Sequence, residues 1–347
     1  MPPKSQICPI RWQDHALFLL DQRRLPAAET WLRLDSAPEV AEAIRDMVVR
    51  GAPAIGFAAA FGVVLSVRQH GAEAGWRKRV DSDIKLLAAA RPTAVNLTWS
   101  LGRMAKLLET ESDDLAASLL NEAQDQMATD REQNLQLGTA GAALIEKGSK
   151  VMTHCNAGAL ATAGYGTALA VVRVGHWQNK IEQVFVGETR PWFQGSRLTA
   201  WELAKDGIPV TLLADSAAAQ AMRQAGINWL IVGADRIAAN GDVANKIGTY
   251  GLAVAARYHG AKVMVVAPHA TVDMTVSDGS GIPLEQRSAN EILDAAGIEN
   301  CLPEITVANP AFDITPAGLI DFIVTEKGVF QAPFDEAFKC LKTGKTA

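Results

Sequence analysis

The 347-residue chain has only four cysteines, Cys8, Cys155, Cys301 and Cys340, and none pairs with another at C-x-x-C spacing. That argues against a cysteine zinc site and a disulfide framework, and points to a reducing, cytoplasmic compartment. Basic charge is also short: 33 Lys and Arg against 38 Asp and Glu leave a net charge of -5. A nucleic-acid surface needs a basic face, so no nucleic-acid partner is expected, although a local cationic pocket for a small anion stays open. The opening MPPKSQICPIRW has no apolar core of signal-peptide length. The longest apolar run, 52–67, is broken by Pro53, Gly56, Gly62 and Ser66. It reads as a packed internal helix rather than a membrane span. Nucleotide fingerprints are missing too, both G-x-G-x-x-G in a strand–helix context and G-x-x-x-x-G-K-[ST]. No cofactor and no metal are therefore expected.

What is present is a composition that is 48% hydrophobic and 20% charged, able to bury a large core, over a length that favours two domains. After short β-like segments at 16–20 and 30–34, the first part reads as helical. Ser36, Pro38 and Glu39 mark a helix start, and apolar residues then recur at helical spacing over 40–49. Further helices are expected over 54–68, 73–90, 97–110 and 113–147, the last closed by Lys147 and Gly148. From Lys150 the rhythm changes. Strand-length apolar runs at 151–153, 181–186, 209–213, 229–232, 262–267 and 322–325 alternate with helical stretches at 166–174, 197–206, 217–225 and 249–258. That alternation predicts an α/β parallel sheet covered on both faces. The expected division is a mainly helical domain over 1–147 and a Rossmann-like domain over 148–347.

In such sheets ligands bind beyond the carboxyl ends of the strands. The first strand ends at Cys155 before a Gly-rich loop; that segment alone fits either a reactive thiol or a small buried hydrophobe. The second runs into a loop crowded with Glu188, Arg190, Trp192, Phe193, Gln194 and Arg197, a density that points to a ligand. After the third, Asp215 or Ser216 reads as a helix N-cap. After the fourth, Asp235 sits where Cys155 sits on its own strand, as a general acid or a partner of Arg236. Lys246 and the N–H groups near Gly248 suit a phosphate, combining a point charge with a helix N-terminus. His154 is adjacent to Cys155, yet neighbours on a strand point to opposite faces, so it is expected to pack away or to orient a backbone group. A thiol and a carboxyl without a cofactor suit acid–base work on a small sugar phosphate.

Five segments carry a resemblance: 50–56 (RGAPAIG), the Cys155 segment, 188–200 (ETRPWFQGSRLTA), 233–237 (GADRI) with Asn245 and Lys246, and 312–316 (FDITP). Together they resemble the methylthioribose-1-phosphate isomerases of methionine salvage. That superfamily also contains the regulatory subunits of the translation-initiation guanine-nucleotide exchange factor. The resemblance implies a helical N-terminal domain, a Rossmann-like C-terminal domain and a homodimer. It also implies cofactor-free conversion of 5-methylthioribose 1-phosphate to 5-methylthioribulose 1-phosphate. It makes Cys155 and Asp235 catalytic, and Arg50, Ala52, Arg91, Gln194, Asn245 and Lys246 substrate-binding. An acid role for Asp235 would need a raised pKa, hence apolar burial, which is expected from 229–232 and the rim loops. Arg50 and Arg91 would bring the N-terminal domain into the site. The alternatives are an isomerase for 5-deoxyribose 1-phosphate or ribose 1,5-bisphosphate, and a non-catalytic regulatory subunit.

Overall fold

The structure is a computed structural model that describes residues 7–92, 94–110, 114–295, 297 and 304–342, so Cys301 lies outside the described residues. The chain divides into two compact units. One holds 7–133 with 158–166, the other 134–157 with 167–342. The division therefore falls inside a long helix rather than at 147, and it assigns the Gly-rich loop after Cys155 to the N-terminal unit.

The N-terminal unit opens with an antiparallel meander of β1 (Ile10–Gln13), β2 (Ala16–Leu20) and β3 (Trp31–Leu34). Asp14 and His15, both at positive φ, form the two-residue turn between the first two strands. Helix α1 (Ala37–Arg45) starts where expected: Ser36 and Glu39 form a reciprocal capping box. Met47, at φ 58°, turns the chain out of it. Helix α2 (Ala52–His70) carries almost no polar face, and its residues 54–67 are all buried. By length and composition it would cross a membrane, but those side chains form the middle of this unit's core. Each fully buried Val, Leu, Ile or Phe there contributes roughly 1.5–3 kcal/mol. Around it pack α3 (Trp76–Ala89), α4 (Val95–Leu108) and the first part of α5 (Leu115–Ala143). Gly56 lets α2 and α4 close up, since a Cβ there would lie 2.9 Å from the Asn96 carbonyl oxygen.

The C-terminal unit is built on β4 (Ser149–Thr153), α6 (Ala168–Trp177), β5 (Ile181–Gly187), α7 (Ala200–Lys205), β6 (Val210–Leu213), α8 (Ala218–Ala225) and β7 (Trp229–Val232). There follow β8 (Arg236–Ala238), β9 (Val243–Lys246), α9 (Thr249–Tyr258), β10 (Lys262–Val266), β11 (Val272–Asp273), β12 (Phe312–Thr315), β13 (Phe322–Thr325) and β14 (Gly328–Phe330). The main sheet runs β14-β13-β10-β7-β4-β5-β6, with every pair parallel except β13–β14. Leaving out the edge strand β14, this is the doubly wound Rossmann order. The chain builds outward from β4 through β5 and β6, then returns to build the other way from β7. The switch point lies between β4 and β7, the place where such sheets open a ligand crevice. A second sheet of order β11-β8-β9-β12 stands beyond the end of β7. Its strands, two to four residues long, are too short to announce themselves as hydrophobic runs.

Candidate active site at the switch point

Cys155 and Asp235 leave the sheet from β4 and β7, the two neighbours that frame the switch point. Val151 pairs with Trp229 and Met152 with Leu230. Continued at the spacing of about 4.8 Å between strands, this register brings Cys155 opposite Gly233, two residues before Asp235. The two segments meet there: a Cβ on Gly233 would come within 2.8 Å of the Ala157 Cβ.

The Cys155 backbone is in the left-handed region at φ 59°, which costs a side-chain-bearing residue about 1–2 kcal/mol. Both of its flanking peptides are held. Its N–H donates to Thr189 Oγ1 at 2.9 Å, and its carbonyl accepts from Thr199 Oγ1 at 2.5 Å. The residue is 9% exposed. Thr189, itself at φ 63°, is anchored by Asp215, whose carboxylate accepts the N–H groups of Thr189 (2.9 Å) and Arg190 (2.8 Å). Asp215 is therefore a clamp on the neighbouring loop and not the expected N-cap; α8 begins without a side-chain cap.

His154 is buried, with Nε2 2.8 Å from the Ile247 carbonyl oxygen and Nδ1 3.4 Å from Thr189 Oγ1. The carbonyl requires the proton on Nε2, and burial pushes the imidazole pKa down, so the ring is neutral. His154 thus orients a backbone group and ties the end of β4 to the segment after β9. Both ring nitrogens are engaged away from the thiol, so His154 is not the base of a Cys–His pair.

The end of β9 itself carries Asn245 and Lys246, both buried. Asn245 Nδ2 donates to Thr249 Oγ1 at 3.0 Å, and Thr249 Oγ1 donates to the Lys246 carbonyl at 2.6 Å. Lys246 is 7% exposed and its Nζ lies 5.2 Å from the centre of the Phe312 ring. The start of α9 does not present the expected helix-terminus cradle to a ligand. The N–H groups of Gly248 and Tyr250 already donate to Asp313, at 2.7 and 3.2 Å. Burial pushes the Asp313 carboxyl pKa up even though these N–H groups and the Lys246 charge pull it down. The anion at the start of α9 is the protein's own.

Asp235 also departs from expectation. Residues 229–232 are buried, but Asp235 itself is exposed, its N–H donating to the Ala244 carbonyl at 2.9 Å. The apolar enclosure expected around its carboxyl is not built by the strand before it, because the chain turns outward after Gly233 to start β8. Arg236 reaches Asp273 at 3.4 Å. In the loop after β5, Gln194 is half-buried, and its Oε1 is fully enclosed without a hydrogen-bond partner among the described residues. Trp192 and Phe193 lie under the Arg197 and Arg190 guanidiniums, at 5.9 and 5.1 Å from the ring centres. Arg50, Ala52 and Arg91 belong to the N-terminal unit, at the start of α2 and after α3.

Residues 48–332 match the initiation factor 2 subunit family. Over 331 residues the chain is 56% identical to a protein of Ectopseudomonas mendocina named methylthioribose-1-phosphate isomerase, covering 93% of this chain and 92% of that one. A crystal structure titled 5-methylthioribose 1-phosphate isomerase from Pyrococcus horikoshii OT3 is 42% identical, with a TM-score of 0.93 over 98% of this chain and 97% of the other. The chain belongs to the methylthioribose-1-phosphate isomerase family. A structure titled translation initiation factor eIF-2B, subunit delta, from A. fulgidus is also similar: 39% identical, TM-score 0.89, covering 97% of this chain and all of that one. Fold alone therefore does not separate isomerases from initiation-factor subunits.

Several residues that shape this candidate site were missed from sequence: Thr189, Thr199, Asn156, Glu202 and Arg173. Two left a signal. Arg173 is a lone cation in ALAVVRVGHW, and Glu202 a lone anion in an otherwise small and apolar turn, LTAWELA. Charges in buried helices need partners. The threonines leave no such trace, because a hydroxyl fits any environment.

Proposed function

We propose that the chain interconverts 5-methylthioribose 1-phosphate and 5-methylthioribulose 1-phosphate at the β4–β7 switch point, with Cys155 and Asp235 as its reacting groups. The isomerase activity follows from family membership; the roles of the residues are our reading. The observation that carries it is that the chain's strained, clamped thiol and an aspartate follow the two strands flanking the crevice. Because phosphate on C1 locks the sugar as a ring, the ring must open first. Asp235 protonates the ring oxygen as the bond from C1 to that oxygen breaks. Cys155, as thiolate, takes the C2 proton to leave an enol phosphate. The Cys155 thiol exchanges its proton with water and then gives one to C1, while Asp235 recovers one from the C2 hydroxyl, so both groups end as they began. Since Asp235 is exposed in the structure, substrate itself must supply the desolvation that keeps the acid protonated.

Lys246 provides the phosphate with a point charge, and the half-buried Gln194 offers its side-chain amide to the sugar hydroxyls. Asn245, Arg50, Ala52 and Arg91 complete the set of substrate contacts in this reading. Homodimeric assembly and a cytoplasmic setting belong to the same proposal. Purified protein should turn over 5-methylthioribose 1-phosphate faster than 5-deoxyribose 1-phosphate or ribose 1,5-bisphosphate. Cys155→Ser and Asp235→Asn should each lose about 10²–10⁴-fold in kcat. Turnover near that of the unmodified chain in either variant would remove that residue from the mechanism. Reaction in deuterium oxide should place deuterium at C1; an unlabelled C1 would replace the proton route with a direct hydride shift. Absence of turnover on all three sugars would favour the subunit-like reading.

A further inference from the structure

Behind Cys155 lies a line of buried polar groups that the reaction itself does not use. The Arg173 and Glu202 side chains are fully buried and Asp206 is 6% exposed. Arg173 donates to Glu202 Oε2 at 2.7 Å and to Asp206 Oδ2 at 2.6 Å. The other Glu202 oxygen accepts from Asn156 Nδ2 at 2.5 Å, and the same Nδ2 lies 3.1 Å from Thr199 Oγ1. Thr199 then spends its proton on the Cys155 carbonyl. Thr199 closes a π-helical turn, Gly195–Thr199, packed so tightly that a Cβ on Gly195 would fall 1.7 Å from the Gly187 carbonyl oxygen. Such π turns interrupt the regular ladder and concentrate at functional sites.

Stability alone is a weak reason for this construction. Taking an arginine and two carboxylates out of water costs about what their attraction returns, and well-packed apolar residues often do as well. What a buried ionic network does supply is one fixed arrangement. We propose that Thr199 and Glu202 are positioning residues for the Cys155 thiol. Arg173 fixes Glu202, Glu202 and Thr199 orient each other through Asn156, and Thr199 holds the Cys155 peptide from the side opposite Thr189. The two hydroxyls together keep Cys155 in a left-handed conformation that it would otherwise leave. Relaxation of that φ would swing the Cα–Cβ bond and displace the sulfur, and a misplacement of about 1 Å costs on the order of 10²-fold in rate.

This inference rests on Cys155 being the reacting thiol, so its test includes a readout independent of turnover. Thr199→Val keeps the shape and removes the proton; Thr199→Ser keeps the hydroxyl. The measurements are kcat and KM on 5-methylthioribose 1-phosphate, and the pH dependence of iodoacetamide alkylation at Cys155, followed by peptide mass spectrometry. In Thr199→Val, kcat should fall about 10–100-fold with KM within about twofold, and Cys155 alkylation should change several-fold in rate. Thr199→Ser should restore both to within about threefold. Glu202→Gln, which keeps the acceptor for Asn156 and leaves Arg173 paired with Asp206, should show the same split, and it stands in if Thr199→Val does not fold. An unchanged kcat and alkylation profile in the folded variants overturns the proposal, as does a serine variant no better than valine. Full activity in Cys155→Ser would instead overturn the assignment of the thiol, whatever Thr199 does.

Discussion

Replacing Arg173 with methionine should expose how much charge the C-terminal unit carries in its interior. Methionine fills much of the same volume but leaves the Glu202 and Asp206 carboxylates facing each other with their shared cation gone. Breaking a buried pair in this way typically costs about 3–5 kcal/mol. The variant should therefore be about 4 kcal/mol less stable than the unmodified chain at pH 7, the middle of that range. Urea unfolding followed by circular dichroism measures the difference. A deficit under about 1 kcal/mol would show that the ionic network is not closed as described.

Asp313 offers a test through pH. Burial raises its folded-state pKa, so its contribution to stability is fully present below the unfolded value of about 3.9 and is lost as pH rises through the raised pKa. The stability of the unmodified chain relative to Asp313→Asn should accordingly decline from pH 4 to pH 7, read from urea midpoints; a gap that widens with pH would contradict the assignment. Gly51→Ala should cost at least about 1–3 kcal/mol from backbone strain alone. Gly51 sits at φ 92°, and its Cβ would meet the Ala161 Cβ at 2.5 Å. Hydrogen exchange should accelerate over 158–166 in that variant, and unchanged protection there would refute the packing argument.

Most of the framework of the C-terminal unit could be read without coordinates, because strand and helix runs are written in local periodicity. All six expected strands of the main sheet form, and Ser36 caps its helix through contacts only three residues away. The position of Cys155 just past a strand end was legible for the same reason. Local pattern could not supply the partners of these groups. The Thr199 hydroxyl that holds Cys155 comes from 44 residues away, and the carboxylate that fills the start of α9 comes from 65 residues beyond Gly248. Periodicity also could not reveal strands of two or three residues, and the turn into β8 is what carries Asp235 outward to solvent. Helix and strand choice depends on neighbours in the chain, so sequence determines it. The charge, strain and exposure of a side chain depend on what the fold brings against it, so only the tertiary structure decides them.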